Sequence, residues 1–465
     1  MSWLQDPVTI QCLYIVAFGL FIYGLMGLTG PRTAVRGNLL AAAGMVIAVL
    51  ATALTRGMGN WWLILLGIAI GTAVGVPAAR RVKMTAMPQM VALFNGVGGG
   101  AVALVAWVEF RQSHGFAGEP AHVAIATLFA AVVGSVSFWG SNVAFGKLQE
   151  ILPGRPISVG RLQQPLNLLL ALAALGCGVA VVLGGSAELL MIGLLVTSAL
   201  LGVMVVLPIG GADMPVVISL LNAFTGLSAA ATGIALDNTA LIVAGMIVGA
   251  SGSILTNLMA KAMNRSIPAI IAGGFGGDGG PGPAGPVDKT VRRTSASDAA
   301  IQMSYARQVV VVPGYGMAVA QAQHAVREMA KELESKGVSV YYAIHPVAGR
   351  MPGHMNVLLA EADVPYEHLK EMEEINGEFA RTDVALVIGA NDVTNPAAHT
   401  DPSSPIYGMP ILNVNESRSV IVLKRSMSPG FAGVDNDLYY DPRTSMLFGD
   451  AKKSVSEIVE ELRSL

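Results

Sequence analysis

The sequence is poor in charged residues and carries almost no net charge. Lysine, arginine, aspartate and glutamate together make up 13% of its 465 residues, and the formal net charge is -2. A nucleic-acid-binding protein normally has a clustered basic face, so nucleic acid is set aside as a partner. Hydrophobic residues make up 53% of the chain and its mean hydropathy is +0.58, outside the range of ordinary soluble proteins. Most of the chain is therefore expected to lie in lipid.

Cysteine and N-terminal basic residues are also scarce. The two cysteines, Cys12 and Cys177, both lie in apolar stretches, which argues against a disulfide framework and a zinc site, and no metal site is predicted. Residues 1–11 contain no lysine or arginine and no small-residue cleavage site. The first apolar stretch is thus expected to be a retained membrane span rather than a signal peptide.

Nine apolar stretches are each long enough to cross a membrane, whose hydrocarbon core is about 30 Å thick. Their approximate limits are 8–28, 38–54, 61–79, 87–110, 122–146, 166–185, 188–211, 214–236 and 239–263. We therefore predict an all-α transmembrane domain over residues 1–271. The fourth and fifth stretches are rich in glycine and serine, which predicts closely packed helices. The alternative is that glycine is simply common in membrane helices.

Basic residues in the loops predict the orientation, because lysine and arginine are retained on the cytoplasmic side. The loops on one side hold only Arg56 and Arg111. The loops on the other side hold Arg32, Arg36, Arg80, Arg81, Lys83, Lys147, Arg155, Arg161, Lys261 and Arg265. The N-terminus is therefore expected outside an inner membrane, and the C-terminus in the cytoplasm, or in the matrix of a mitochondrion.

The composition changes after the last apolar stretch. A glycine- and proline-rich tract at 273–286 predicts a flexible linker, placed at residues 272–296. Residues 297–465 then alternate short β-branched runs with helical patterns, which predicts an α/β Rossmann-like domain with a mainly parallel sheet. One helix is predicted at 316–336, and strands are predicted at 309–312, 338–344, 384–388, 411–414 and 420–423.

The first predicted strand leads directly into a glycine turn and a helix. This order lets the backbone approach a pyrophosphate and offer it N–H groups at the helix N-terminus. The cofactor-binding residues predicted here are Gly314, Tyr315, Gly316, Met317, Ala318 and Val319. Val319 stands where a third glycine is usual, and the alternative interpretation is a tight turn with no ligand.

Two basic positions predict that the bound ribose carries a phosphate. A fold that selects NAD places Asp or Glu at the end of its second strand, whereas here that strand ends at His345, with Arg350 nearby and no carboxylate. This pattern favours NADP. Lys424, Arg425 and Ser426 follow the last predicted strand and suit a 2′-phosphate, although a solvated strand end explains them equally well.

A polar loop follows the predicted strand at 384–388. Its residues Gly389, Asn391 and Asp392 stand at the carboxyl end of that strand, where open α/β sheets bind ligands. Asp392 is interpreted either as a group whose protonation changes with cofactor state or as an N-cap or turn residue. Segment 428–433, which includes Gly430, has the glycines of a lid that gates nucleotide exchange.

Ionisable and polar groups inside a membrane are costly, so they are functional candidates. Asp213 lies at the mouth between two spans, where an interfacial N-cap is the alternative. Asn95 and Asn222 lie nearer the core and are candidates for a hydrated path, although each alone is more often a hydrogen-bonding group between helices. None of the seven histidines falls clearly inside a span. A proton route through this chain would therefore lack the side chain best matched to neutral pH.

Six long segments carry a resemblance to a known family. They are residues 210–217, 261–266, 314–323, 345–361, 388–392 and 423–427. Together they closely resemble the β subunit of proton-translocating NAD(P) transhydrogenase. The resemblance covers essentially the whole chain, and motifs of this length are highly specific.

The resemblance implies roles for most of the candidate residues. Residues 297–465 would bind NADP(H) in a reversed orientation, with 428–433 as the lid. The implied groups are Gly314, Gly316 and Val319 as the fingerprint, Lys424, Arg425 and Ser426 at the 2′-phosphate, His345, Arg350 and Asp392 in loops that change with nucleotide state, and Asp213 and Asn222 in the coupling and proton-path region.

The resemblance also implies a partner. An α subunit would hold NAD(H), and Si-specific hydride transfer from NADH to NADP would be coupled to proton translocation with no catalytic side chain on this chain. A dimer of the assembled unit is expected. Some relatives carry histidine where this chain has Asn95, so the relay role does not transfer unchanged, and a helix of the partner is one source of the missing group.

Two other hypotheses stay open at this point. A channel or transporter regulated by a nucleotide-sensing cytoplasmic domain would bind NADP without redox chemistry, but such a domain usually has an acidic residue after its second strand. A structural anchor for a soluble dehydrogenase would leave Asp213 and Asn222 without a purpose.

Overall fold

A computed structural model describes most of the chain. The described residues are 5–30, 32–83, 86–153, 156–185, 188–210, 213–263, 266–271, 290–350, 353–404, 406–430 and 432–465. They divide into two compact units, Met1–Pro208 with Val217–Thr256, and Ile209–Val216 with Asn257–Leu465. The predicted glycine- and proline-rich tract at 273–286 lies outside the described residues, as do Arg155 and Arg265. The linker at 272–296 and its flanking domain limits therefore remain predictions.

Within the described residues, nine helices are long and apolar enough to cross a membrane. They are α1 Pro7–Gly27, α2 Ala34–Ala53, α3 Trp61–Arg81, α4 Met87–Gln112, α5 Ala121–Leu148, α6 Gln163–Val182, α7 Glu188–Val206, α8 Met214–Ala235 and α9 Thr239–Ala262. The nine apolar stretches of the sequence are thereby confirmed as helices, and the chain is a multi-pass membrane protein. A short helix, α10, follows at Ile267–Ile271.

Glycines let several of these helices approach backbone to backbone. A Cβ atom added to Gly99 of α4 would lie 2.8 Å from the Gly134 carbonyl oxygen, and one added to Gly134 of α5 would lie 2.7 Å from the Gly99 oxygen. Such contact replaces the hydrophobic effect, which is absent between helices in lipid. The close packing predicted for the fourth and fifth stretches is confirmed. By contrast, no residue of α3 is buried.

The second unit contains a six-stranded sheet in which every strand pairing is parallel. Its strands are β1 Gln308–Pro313, β2 Ser339–Ile344, β3 Leu369–Glu371, β4 Val384–Ile388, β5 Ser419–Lys424 and β6 Thr444–Phe448. They stand in the order β3-β2-β1-β4-β5-β6. The helices of this unit are α11 Ala296–Ser304, α12 Tyr315–Val319, α13 Gln323–Ser335, α14 His354–Glu361, α15 Met372–Ile375, α16 Ala397–Thr400 and α17 Ala451–Ser464.

Both faces of the central strands are buried, which explains why their sequences are continuous apolar runs rather than alternating ones. All four valines at 309–312 in β1 are fully buried, and β4 is buried along its whole length. The register sets Pro313 opposite Ile388 and Ile388 opposite Leu423, so β1, β4 and β5 end at one edge. The predicted Rossmann-like domain with a parallel sheet is confirmed.

Two predictions within this unit are wrong. The run Ile411–Val414 is not a strand: its apolar side chains are buried, but the Leu412 N–H donates to the Val393 oxygen at 2.9 Å, and a loop results. The helix predicted at 316–336 is two helices, because Gln321 adopts a φ of 51° between α12 and α13. Strands β3 and β6 were not predicted, since neither carries a run of β-branched residues.

Candidate functional site

The order of the strands defines where a ligand fits this sheet. Successive strands run outward on one side from β1 to β3 and on the other from β4 to β6, so the direction reverses between β1 and β4. Ligands of open parallel sheets bind in the crevice at the carboxyl ends of the strands at this point. The loops after β1, β4 and β5 meet there, and they contain most of the residues predicted from the sequence.

The glycine turn after β1 lies directly against the loop after β4. The Gly314 N–H donates to the Ile388 oxygen at 2.9 Å, and the Gly316 N–H donates to the Gly389 oxygen at 2.9 Å. A Cβ atom on Gly316 would lie 2.7 Å from the Gly389 Cα, and Gly389 itself has a φ of 65°. The glycines therefore serve the contact between two loops, and a pyrophosphate at this turn stays a prediction.

The other fingerprint residues occupy different environments. Met317 and Ala318 are fully buried, whereas Val319 is 46% exposed at the end of α12. The helix is five residues long, so its dipole is much weaker than the sequence pattern suggested. Any phosphate at this turn would depend on individual N–H groups and on nearby cations.

Arg350 supplies one of those cations and lies on the fingerprint turn. Its guanidinium carbon is 4.4 Å from the centre of the Tyr315 ring, a cation–π contact. The Arg350 N–H donates to His354 Nδ1 at 3.1 Å, and the imidazole of His354 lies 6.2 Å from the Tyr315 ring. The structure thus brings Tyr315 and Arg350 together, with His354 as their support. Met351 and Pro352 lie outside the described residues.

His345 and His354 hold the loop after β2 from its two ends. Each accepts a backbone N–H on Nδ1, from Val347 at 3.2 Å and from Arg350 at 3.1 Å. The hydrogen of each imidazole is therefore on Nε2, and that of His345 is donated to the Pro410 oxygen at 2.8 Å. Burial lowers the pKa of His345 to about 4, and burial followed by the Arg350 charge lowers the pKa of His354 to about 4. Both are neutral at pH 7.

Lys424, the last residue of β5, points into the crevice. Its Nζ donates to the Ser428 oxygen at 2.6 Å and lies 4.8 Å from the centre of the Tyr439 ring. Burial lowers the pKa of the Lys424 ammonium, and the carboxylates of Asp392 and Asp435 act against this shift. The site thus holds a partly desolvated cation beside two carboxylates.

The side chain of Asn391 connects this lysine to the predicted lid. Gly430 N and Lys424 Nζ lie 2.6 Å and 3.1 Å from one end of the carboxamide, and since both groups only donate, that end is the oxygen. The amide nitrogen then faces the Tyr439 hydroxyl at 2.8 Å. The Asn391 carboxamide, in the loop after β4, therefore contacts both the end of β5 and the predicted lid.

Asp392 contacts the lid as well. It accepts the Ala432 N–H at 3.0 Å, and a Cβ atom on Gly430 would collide with its carboxylate. Residues 428–430 and 432–433, the described part of the predicted lid, are thereby packed on the loop after β4, while Phe431 lies outside the described residues.

Arg425 does not share the partners of Lys424, whereas Ser426 contacts Ser428, as Lys424 does. The Arg425 guanidinium lies 3.7 Å from the Asp450 carboxylate at the start of α17, and it is largely exposed. The Ser426 hydroxyl is 2.9 Å from the Ser428 hydroxyl. Arg425 follows the last residue of β5, and its guanidinium faces Asp450 while the Lys424 ammonium faces Ser428 and Tyr439. The sequence motif therefore supplies two differently placed cations.

In the first unit, Met1–Pro208 with Val217–Thr256, which we term the membrane unit, Asn95 belongs to a cluster of uncharged polar groups. Its Nδ2 donates to the Ser141 hydroxyl at 2.9 Å and to the Ser137 hydroxyl at 3.3 Å. Ser137 in turn lies 2.6 Å from the Thr225 hydroxyl, so the cluster joins α4, α5 and α8. Among the described residues, no donor reaches the buried Asn95 Oδ1. Asn222 is half-buried on α8.

Asp213 belongs to the second unit. It is buried, 9% exposed, immediately before α8, and its N–H donates to the Gly210 oxygen at 3.1 Å. Gly211 and Ala212 lie outside the described residues.

Sequence reasoning missed several residues that complete the site in the second unit, which we term the soluble unit. Tyr439, Asn436, Asp435 and His354 all contact predicted residues. The sequence signal of the first three was weak, since no glycine motif or strand end marks residues 435–440. Only folding brings Asp435, Asn436 and Tyr439 beside residues 40 to 48 positions earlier in the chain.

Comparisons with known proteins agree along nearly the whole chain. The family model described as NAD(P) transhydrogenase beta subunit matches residues 10–461. Two relatives named NAD(P) transhydrogenase subunit beta, one from Rhodospirillum rubrum and one from a strain of that species, are each 50% identical over 456 residues. The match covers 97% of this chain and 98% of each relative.

Proposed function

This chain belongs to the NAD(P) transhydrogenase β subunit family, and from that premise we propose that it binds NADP(H), accepts hydride from NADH on an α subunit, and couples this transfer to proton translocation. The observation that carries the proposal is the crevice at the carboxyl ends of β1, β4 and β5, where the glycine loops after β1 and β4 meet each other and where Asn391 contacts Lys424 and Gly430.

The chemistry of the crevice fits a nucleotide with a phosphorylated ribose. The residue after β2 is His345, buried and neutral, so the ribose 2′-hydroxyl of NAD would not find the carboxylate that usually accepts it. Arg425 and Ser426 are exposed and suit a dianionic 2′-phosphate, and Lys424 contributes a third group. Residues 314–319, Arg350 and the loop at 389–392 are proposed to hold the rest of the nucleotide.

No side chain of this chain needs to act as an acid or base in the hydride step. The bound nicotinamides supply the redox chemistry, and the protein holds them in apposition and excludes water. The lid at 428–433 is proposed to enclose the nucleotide, because Asn391 and Asp392 bond to its backbone through the Gly430 and Ala432 N–H groups. Release of these bonds would set the rate of nucleotide exchange.

The membrane cluster supports a role in proton movement. The buried Asn95 Oδ1 is an acceptor that a water molecule in a hydrated path would satisfy. We propose that Asn222 belongs to this path, that Asp213 takes part in coupling, and that an α subunit supplies the titratable group that Asn95 cannot provide. Coupling then means that protonation favours one nucleotide-binding state of the soluble unit, to which Asp392 and His345 contribute.

The distribution of loop charges supports an N-terminus outside an inner membrane and a soluble unit in the cytoplasm. In this topology, hydride transfer from NADH to NADP accompanies proton entry from outside. The assembled unit is proposed to contain α subunits that hold NAD(H) and to form a dimer.

Calorimetry on the full-length chain in lipid nanodiscs tests the first step of this proposal. Titration with NADP(H) and, separately, NAD(H) is expected to give tight binding of NADP(H) alone. Comparable binding of both nucleotides, or of neither, would contradict the proposal, and comparable binding would favour a transporter with a nucleotide-sensing domain.

A further inference from the structure

Residues 435–440 form a short segment behind the nucleotide crevice, which we term the rear segment. It follows the lid in the chain and contains a 3-10 helix at Asp437–Tyr440, capped by the Asn436 side chain, which accepts the Leu438 N–H at 3.0 Å. Asn436 and Tyr439 are each only 1% exposed. Their polar side-chain groups must therefore be satisfied inside the fold.

The rear segment attaches to the loop after β4 by three hydrogen bonds, and the Asn436 Nδ2 also lies 3.1 Å from the Asn391 carboxamide. The Asn436 Nδ2 donates to the Asn391 backbone oxygen at 3.1 Å, and the Asn395 Nδ2 donates to the Asp435 backbone oxygen at 2.9 Å. The third contact is the 2.8 Å approach of the Tyr439 hydroxyl to the Asn391 carboxamide. Two of these bonds fix backbone, and the third fixes the orientation of a side chain.

The orientation of that carboxamide decides whether the lid is held. With its nitrogen toward the Tyr439 hydroxyl, the carboxamide oxygen faces the Gly430 N–H at 2.6 Å and the Lys424 Nζ at 3.1 Å. Without the hydroxyl, the nitrogen loses its partner and the carboxamide has less reason to keep this rotation. The hydroxyl of Tyr439 thus acts on the lid through Asn391.

The ring of Tyr439 acts on a different group. Its face lies 4.8 Å from the Lys424 Nζ, within the range of a cation–π contact with a partly desolvated ammonium. An aliphatic side chain of similar size would fill the space but would not attract the charge. The ring therefore holds Lys424 in place independently of the hydroxyl.

We propose that Tyr439 is a positioning residue of the nucleotide site, whose hydroxyl holds the lid through Asn391 and whose ring holds Lys424 for the 2′-phosphate. This inference rests on the proposed function, since it assigns the lid and Lys424 to NADP(H). The hydroxyl and the ring of Tyr439 have separate roles, and two substitutions distinguish these roles.

The test uses the full-length chain in nanodiscs with Tyr439→Phe and Tyr439→Leu. In Tyr439→Phe, release of NADPH followed by stopped-flow fluorescence is expected to be about fivefold faster, the effect of one hydrogen bond, with the ratio of NADP to NAD affinity unchanged. In Tyr439→Leu, that affinity ratio is expected to fall as well, by about fivefold.

Tyr342→Phe is the matched control, because Tyr342 is a fully buried tyrosine of β2 outside the crevice. It is expected to leave both release and selectivity at wild-type values. Unchanged release in Tyr439→Phe would overturn the inference, and so would equal losses of NADP and NAD affinity in Tyr439→Leu, which indicate a general structural role. Tyr439→Phe keeps the test valid if the leucine variant does not fold. A wild-type chain that fails to bind NADP(H) would instead overturn the proposed function itself.

Discussion

The polar cluster of the membrane unit and the crevice of the soluble unit bury polar groups in different ways. In the membrane unit, Asn95, Ser137 and Thr225 share hydrogen bonds among uncharged side chains of three helices. In the soluble unit, Lys424 and Asp392 place opposite charges in one crevice. Lipid makes a charge too costly to hold without a function, whereas the edge of a parallel sheet remains close to water and to backbone N–H groups.

This difference determines how each unit responds to a proton or a phosphate. The hydroxyl and amide groups of the membrane cluster are uncharged at neutral pH, so they can only relay protons. A crevice that contains a cation, a carboxylate and the proposed lid is expected to change its bonding when a phosphate binds. A substitution in one unit should therefore change the properties of that unit and leave those of the other unit intact. Four predictions use this independence.

The largest effect is expected where backbone meets backbone in the soluble unit. Gly389→Ala places a Cβ atom against Gly316 at a φ of 65°, and it should lower the free energy of unfolding of the sheet by about 3 kcal/mol. Hydrogen exchange of the β1 amides measures this change. Gly337→Ala is the control, since it has a φ of 86° but open space around its Cβ, and should cost about 1 kcal/mol. Equal losses in the two variants would contradict the loop contact.

The second prediction removes charge from the end of β5. Arg425→Ala should weaken NADP(H) binding by about 100-fold, the effect of a lost charge-assisted pair, and leave NAD(H) binding unchanged. Calorimetry on the full-length chain measures both affinities. Arg418→Ala removes a cation near the start of β5, where Arg418 pairs with Asp383 at 2.8 Å, and should change neither. Parallel losses for both nucleotides would refute the assignment.

The third prediction breaks the membrane cluster and spares the crevice. Ser137→Ala removes the hydroxyl between Asn95 and Thr225, and should slow proton-coupled turnover about tenfold while NADP(H) affinity stays the same. Ser135→Ala is the matched control on the same helix, because its hydroxyl bonds to the Leu195 oxygen outside the cluster. Equal effects of the two variants on turnover would mean that the cluster only packs helices.

The smallest effect concerns the two histidines after β2. Their ordinary pKa of 6.5 is lowered to about 4 by burial, so below pH 6.5 the unfolded chain binds protons that the folded chain does not. Stability of the soluble unit should therefore fall as the pH falls from 6.5 toward 4, by about 1 kcal/mol per histidine at pH 5.5. Hydrogen exchange of β1 amides at pH 7 and pH 5.5, corrected for intrinsic rates, measures it. A His345→Asn variant with the same pH dependence as the wild-type chain would exclude a contribution from His345.

The two units also differ in how far the sequence predicts them. In the part of the chain that the structure describes, nine membrane helices follow from length and hydropathy alone, since a span in lipid must satisfy its own backbone. The strands at β1, β2, β4 and β5 were predicted because buried parallel strands are apolar along their whole length. The run Ile411–Val414 has the same pattern, yet its backbone bonds to Val393 and Asn376 and forms a loop. A local pattern does not distinguish these outcomes.

The crevice was predicted by its motifs and not by its contacts. Glycine turns and the residues Lys424, Arg425 and Ser426 are recognisable because their spacing is local. The contact of Tyr439 with Asn391 joins residues 48 positions apart, and the different partners of Lys424 and Arg425 are set by the fold. Such information exists only once the sheet has formed.

Coupling between the two units is the central claim of the proposed function. The most direct test reconstitutes the full-length chain with an NAD(H)-binding α subunit in liposomes and follows NADPH formation from NADH together with the pH on both sides of the membrane. We expect NADPH to form only when both subunits are present, and protons to move toward the side that carries the soluble unit. NADPH formation with no proton movement would contradict coupling, and absence of NADPH formation would contradict the proposed reaction.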